Sequence, residues 1–145
     1  MAFQFREQLG YLVNRCAIAL RAELQDRFLQ KGFIATGVDW AILALLLTEG
    51  RLSQKEIAAM STKDSTTVTR QIEKLVKRGL IVKEKDKSDL RVTYIELSDS
   101  GRDFVQQLVP IVQNLIGYLT EDVSKSDMEA TKRCLKKVLQ KLTGE

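Results

Sequence analysis

The sequence has no histidine, and that absence removes much of the chemistry a chain of this size could perform. Histidine supplies the base of Ser-His and Cys-His nucleophile pairs and the commonest metal-binding ring. Without it, the remaining acids, amines and hydroxyls show no paired carboxylates and no glycine-rich phosphate loop that form a constellation. The chain is therefore expected to be no enzyme, with no metal and no cofactor. Cysteine is nearly absent too. Cys16 and Cys134 stand alone and far apart, which excludes the paired spacings of zinc ribbons and redox dithiols and gives no disulfide framework. Proline occurs once and the eight glycines are scattered, so neither disorder nor low complexity is indicated. Long apolar runs are also lacking. The longest, Trp40 to Leu47, is too short to span a bilayer, and Arg6, Glu7 and Arg15 interrupt the region where a signal-peptide core would lie. A cytoplasmic protein with no membrane partner is expected.

What is present suits one folded domain over 1–145. Apolar residues make up 44% and charged residues 29%, and 145 residues bury a real core without providing two lobes. The net charge of +4 fits an acidic partner such as nucleic acid, but also an ordinary lysine-rich surface, so charge alone decides nothing.

Periodicity outlines the elements. Phe5, Leu9, Leu12, Val13, Cys16, Leu20, Leu24 and Phe28 recur at helical steps, and Gly32-Phe33 reads as a left-handed stop with an apolar residue folding back. Thr36 and Asp39 cap a second helix, apolar nearly all round and so expected to lie centrally. Ser53 and Glu56 form a capping box for a short third helix through Met60. After the polar stretch Ser61–Asp64, a fourth runs from about Ser65 to Arg78, with Val68, Ile72, Leu75 and Val76 inward and Gly79-Leu80 as its stop. The period then changes. Leu80–Lys85 and Val92–Leu97 are rich in β-branched residues and flank a polar turn, predicting a β-hairpin. Ser98 caps a fifth helix that Pro110 should kink but not end, and Ser126 with Glu129 is expected to open the sixth.

Helix, turn, helix and hairpin in direct succession is how proteins lay one helix in a DNA major groove and reach sideways with a wing. The outward side of the fourth helix carries Thr66, Thr67, Thr69, Arg70, Glu73, Lys74 and Lys77 after Ser65. Hydroxyl residues have lower helix propensity than Glu, Lys or Gln and add no packing there, so a plain solvated surface does not account for them. Threonine hydroxyls bond base edges or phosphates, and Arg70 suits a guanine or a phosphate. Lys63, Lys74 and Lys87 suit phosphates, where a point charge suffices. Gln54 fits either a backbone contact or simple solvation.

On these residues, 36–101 resembles the winged-helix core of the multiple-antibiotic-resistance regulator (MarR) family. The wing pattern is carried by Asp86, Asp89, Arg91, Leu97, Ser98 and Gly101, and the pattern of the helix before it by Ser65 to Arg70 with Leu75, Gly79 and Leu80. Lys85 and Leu90 stand where many members carry arginine, and Ser98 replaces a commoner threonine. The resemblance implies a mainly α protein with a small β-hairpin wing, flanked by dimerisation helices over 1–32 and 102–145. It implies that Arg91 enters a DNA minor groove while Asp89 orients the wing. It further implies a homodimer on a pseudo-palindromic double-stranded operator, its two reading helices roughly 34 Å apart. Regulation of transcription, as a repressor released by a small-molecule effector, follows from the same resemblance. Arg15 and Trp40 are candidate effector contacts, against solvated and core readings respectively. Cys16 raises a peroxide-sensing branch, against the reading of a buried inert thiol. A winged helix that binds a protein partner is the remaining alternative.

Overall fold

Positive-φ glycines end two helices in the same way, and both ends set the position of the element that follows. At Gly32 (φ 87°) the Phe33 amide donates back to the Phe28 carbonyl at 2.8 Å, and at Gly79 (φ 72°) the Leu80 amide donates to Leu75 at 3.1 Å. A side chain at such a φ is strained, which is why glycine stands there. The structure, a computed structural model, describes residues 2–60 and 64–144. The helices are α1 (Leu9–Gln30), α2 (Gly37–Glu49), α3 (Gln54–Met60), α4 (Ser65–Lys77), α5 (Asp99–Leu119) and α6 (Lys125–Thr143). The strands are β1 (Leu52–Ser53), β2 (Ile81–Lys85) and β3 (Thr93–Leu97). None of these helices is long and apolar enough to cross a membrane.

Three expectations need correction. The first helix begins at Leu9, not Phe5, because Gln8 is extended (ψ 140°) and separates a short 3-10 turn, Phe5–Glu7, from it. The hairpin is part of a three-stranded antiparallel sheet in the order β1-β3-β2, with Leu52 opposite Ile95 and Ser53 opposite Tyr94. A two-residue strand is too short to carry a period of two, so the pattern gave no sign of it. The sixth helix is capped by Ser124, whose hydroxyl accepts the Asp127 amide at 3.1 Å, and not by Ser126. Both serines have an acid three residues on, and the earlier one opens the helix.

The chain divides into two compact units, Met1–Val112 and Gln113–Glu145, with the boundary inside α5. In the first, one core joins Ile42, Leu43 and Leu46 of α2, Ile57 of α3, Val68, Ile72 and Leu75 of α4, then Leu80, Ile81, Ile95 and Val105. Each such side chain contributes about 1.5–3 kcal/mol of burial. The capping boxes fix the helix starts: Asp39 Oδ2 accepts the Thr36 amide at 2.9 Å and Thr36 Oγ accepts the Asp39 amide at 3.0 Å. Glu56 and Ser53 exchange the same pair of bonds at 2.7 and 3.0 Å. At the far end of the winged core, Ser98 Oγ donates to the Gly79 carbonyl at 2.5 Å and accepts the Gly101 amide at 3.0 Å, stitching the start of α5 to the end of α4. A Cβ on Gly101 would lie 1.8 Å from the Leu80 carbonyl oxygen, so only glycine permits this approach.

Burial along α1 is uneven. Leu24 and Phe28 are buried, whereas Leu9, Leu12, Val13 and Ile18 are exposed, so the apolar stripe is covered only over its second half. In the second unit, α6 buries no residue, and Ile116, Tyr118, Leu119, Val123, Leu135, Leu139 and Leu142 are all exposed.

Candidate nucleic-acid interface

The front of α4 is shaped by its cap. Asp64 accepts the Thr67 amide at 2.9 Å through Oδ1 and the Thr67 hydroxyl at 2.8 Å through Oδ2. These bonds from Thr67, the backbone one first, hold the Asp64 carboxyl below the ordinary carboxylate range. The second bond engages the Thr67 hydroxyl with the cap. Thr67 is half-buried and lines a groove with Arg21, Gln25, Thr36, Val38 and Gln71, so the structure separates it from the outward row to which its spacing assigned it.

The rest of that row is exposed: Ser65, Thr66, Thr69, Arg70 and Lys74. Thr69 Oγ donates to the Ser65 carbonyl at 2.8 Å and accepts from Gln54 Nε2 at 3.2 Å, so Gln54 ties the start of α3 to α4. The side chains of Thr66, Arg70 and Lys74 make no hydrogen bond or ion pair among the described residues, leaving their donors available to a ligand. Glu73 is engaged by Lys83 of β2, which joins α4 to the wing. Lys63 lies outside the described residues.

The wing tip is organised by two aspartates. Asp86 Oδ1 accepts the amide and the hydroxyl of Ser88, both at 3.0 Å, and these bonds hold its carboxyl low. Asp89 takes Arg91 in a fork, Nε to Oδ1 at 3.0 Å and Nη2 to Oδ2 at 3.2 Å, and also accepts the Arg91 amide at 3.1 Å. The Arg91 side chain lowers the Asp89 carboxyl, and Asp89 in turn raises the guanidinium. Although so held, the Arg91 side chain is 91% exposed. Its charge is pre-aimed and its remaining donors face solvent. Lys87 is exposed in the same turn. Arg91, Val92 and Thr93 line a groove with Ser53, Gln54 and Lys55, which brings Gln54 of α3 and Arg91 of the wing to one site. Lys55 escaped the sequence reading, since a lone lysine in a short helix has no periodic signal. So did Arg51, whose guanidinium lies 4.3 Å over the Tyr94 ring. The assembled surface offers hydroxyls and cations at close spacing, which suits an extended polyanion.

The effector and redox candidates fall elsewhere. Trp40 packs 6.3 Å from the Phe28 ring and against the core, which is the packing reading of that residue. Arg15 is exposed on α1, and no bond joins it to Trp40. Cys16, expected to be buried, is exposed, as is Cys134. Cys16 lies on the first half of α1, where Leu12, Val13 and Ile18 are exposed as well.

Residues 36–93 match the model of the MarR family. The chain is 34% identical over 82 residues to the HTH-type transcriptional regulator YkoM of Bacillus subtilis, covering 57% of this chain and 52% of that protein. It thus spans about half the length of that relative. It is 32% identical over 104 residues to the transcriptional regulator AdcR of Streptococcus pneumoniae, covering 71% of this chain and 70% of AdcR. In fold it is similar to a mutant MarR of Escherichia coli complexed with operator DNA, with a TM-score of 0.78 and 20% identity over 95% of this chain and 99% of that one. With a winged core built as its motifs imply and this similarity extending over most of AdcR, the chain belongs to the MarR family of transcriptional regulators.

Proposed function

We propose that the protein binds double-stranded DNA sequence-specifically, as a dimer, and regulates transcription from the cytoplasm. The observation that carries this is the outward side of α4: Thr66, Arg70 and Lys74 are exposed and without partners among the described residues, beside Gln54 and next to a wing that holds Arg91 outward. In this reading 36–101 is the DNA-binding core, with α4 in the major groove and Arg91 at the minor groove. Segments 1–32 and 102–145 form the dimer, whose second copy covers the apolar residues that α1 and α6 leave exposed. That the E. coli neighbour of the same fold carries operator DNA supports the assignment.

Release by a small molecule is part of the proposal. A ligand in the groove between α1, the start of α2 and α4, lined by Arg21, Gln25, Thr36 and Thr67, would act on the cap of the reading helix directly. Selection of bound sequences from a random duplex pool, followed by salt titration of the selected duplex, tests the main reading. Selective, salt-dependent binding with two chains per site supports it. Failure to bind any duplex at low salt removes it and brings forward a winged helix that binds protein.

A further inference from the structure

Arg51 sits just before β1 and reaches across the whole sheet. The register places Ser53 opposite Tyr94 and Tyr94 opposite Glu84, so the side chains of β3 and β2 next to the wing tip lie in one row. The Arg51 guanidinium lies 4.3 Å over the Tyr94 ring, and its Nη2 is 3.7 Å from Glu84 Oε2. It also borders a groove with Glu84, Lys85, Asp86 and Lys87 at the root of the tip. The strand that anchors the hairpin to the core is only two residues long, so its backbone bonds are few. On the other side, Lys83 is fastened to Glu73 of α4.

We propose that Arg51 is a positioning residue for the wing: by spanning β1, β3 and β2 it holds the hairpin at the angle from which Arg91 meets DNA. The inference rests on the DNA-binding reading above. The guanidinium is engaged with Tyr94 and Glu84, so it acts through Arg91 and does not take a phosphate itself. An unlatched hairpin samples more orientations and has to be ordered when DNA binds, which weakens binding without removing a contact. A half-exposed ion pair and ring contact contribute little to global stability, so Arg51→Ala remains folded.

The test uses the full chain and the duplex it selects from a random pool, with Arg51→Ala, Arg51→Lys, Arg91→Ala and the double variant Arg51→Ala/Arg91→Ala. Arg51→Ala is expected to weaken binding roughly three- to tenfold with an unchanged salt slope, and to have no further effect in the Arg91→Ala background. Arg51→Lys, which keeps a cation over the ring, falls between it and wild type. In the DNA-free protein, amide exchange over 84–94 quickens in Arg51→Ala. Wild-type affinity for Arg51→Ala overturns the proposal. So does a shallower salt slope with a loss that persists without Arg91, since Arg51 would then touch the phosphate directly. If the wild type binds no duplex, the DNA reading fails by itself, and unchanged amide exchange in Arg51→Ala would overturn the latch independently.

Discussion

Arg70 and Lys74 stand one turn apart on the exposed side of α4, and in the proposed DNA-binding reading their chemistry suits them to different work. A guanidinium forms a planar fork that distinguishes guanine, whereas an ammonium is a point charge that neutralises a phosphate. Arg70→Ala is expected to cost about 1–3 kcal/mol on the selected duplex and much less on random DNA. Lys74→Ala should weaken both alike and reduce the salt slope by about one. Equal losses on both duplexes for Arg70→Ala would remove its base-reading role. Gly101 is a single-residue constraint of another kind. The Leu80 carbonyl leaves no room for a Cβ, so Gly101→Ala has to push α5 away from the end of α4. A loss of about 3 kcal/mol or more in urea unfolding is expected, at the upper end of ordinary substitutions. An unchanged midpoint would mean that the approach is not maintained in solution.

At the scale of elements, α4 depends on its first turn. Asp64 is the cap, and its carboxylate is held below the ordinary range by Thr67. A carboxyl with a depressed folded-state pKa contributes stability that is complete above its unfolded value and lost as pH falls through the folded one. The stability margin of wild type over Asp64→Ala should therefore be constant near neutrality and shrink on acidification below about pH 4. A margin that persists in strong acid would show that the ionised carboxylate is not what caps the helix. Alanine is the informative replacement, because asparagine also caps. The wing is an element without a core of its own: Val82 is exposed, and the tip is ordered by Asp86 and Asp89 through hydrogen bonds.

For the whole molecule, exposed apolar surface is the governing fact. Phe5, Leu9, Leu12 and Val13 in one unit, and Leu135, Leu139 and Leu142 in the other, are uncovered in the single chain. A second copy that buries them would remove their area from water at about 25 cal/mol per Å² before the costs of association. Leu135→Asp/Leu139→Asp is expected to convert a dimer into a 16.4 kDa monomer in sedimentation velocity, with helical content retained because neither residue is buried within the chain. Affinity for a two-half-site duplex should then fall steeply, as each subunit reads one half alone. A double variant that sediments as a dimer would remove α6 from the interface.

How much was legible follows from the range of each interaction. Caps, glycine stops and apolar periodicity are local, so the sequence determined the order of the helices, the hairpin and the cap at Ser98 in outline, while the approach of Ser98 and Gly101 to Gly79 and Leu80 is tertiary. It also determined the family, because the wing and helix motifs lie within one short stretch. Other features depend on residues distant along the chain. Thr67 shares its spacing with Thr66, yet it is half-buried in a groove lined by Arg21, Gln25 and Thr36, far back along the chain. Arg51 and Lys55 carry no pattern, and only the pairing of β1 with β3 brings them against the wing. Cys16 has the spacing of a core residue, but its exposure depends on what covers α1. Periodicity records that a face is apolar; tertiary structure decides what, if anything, lies against it.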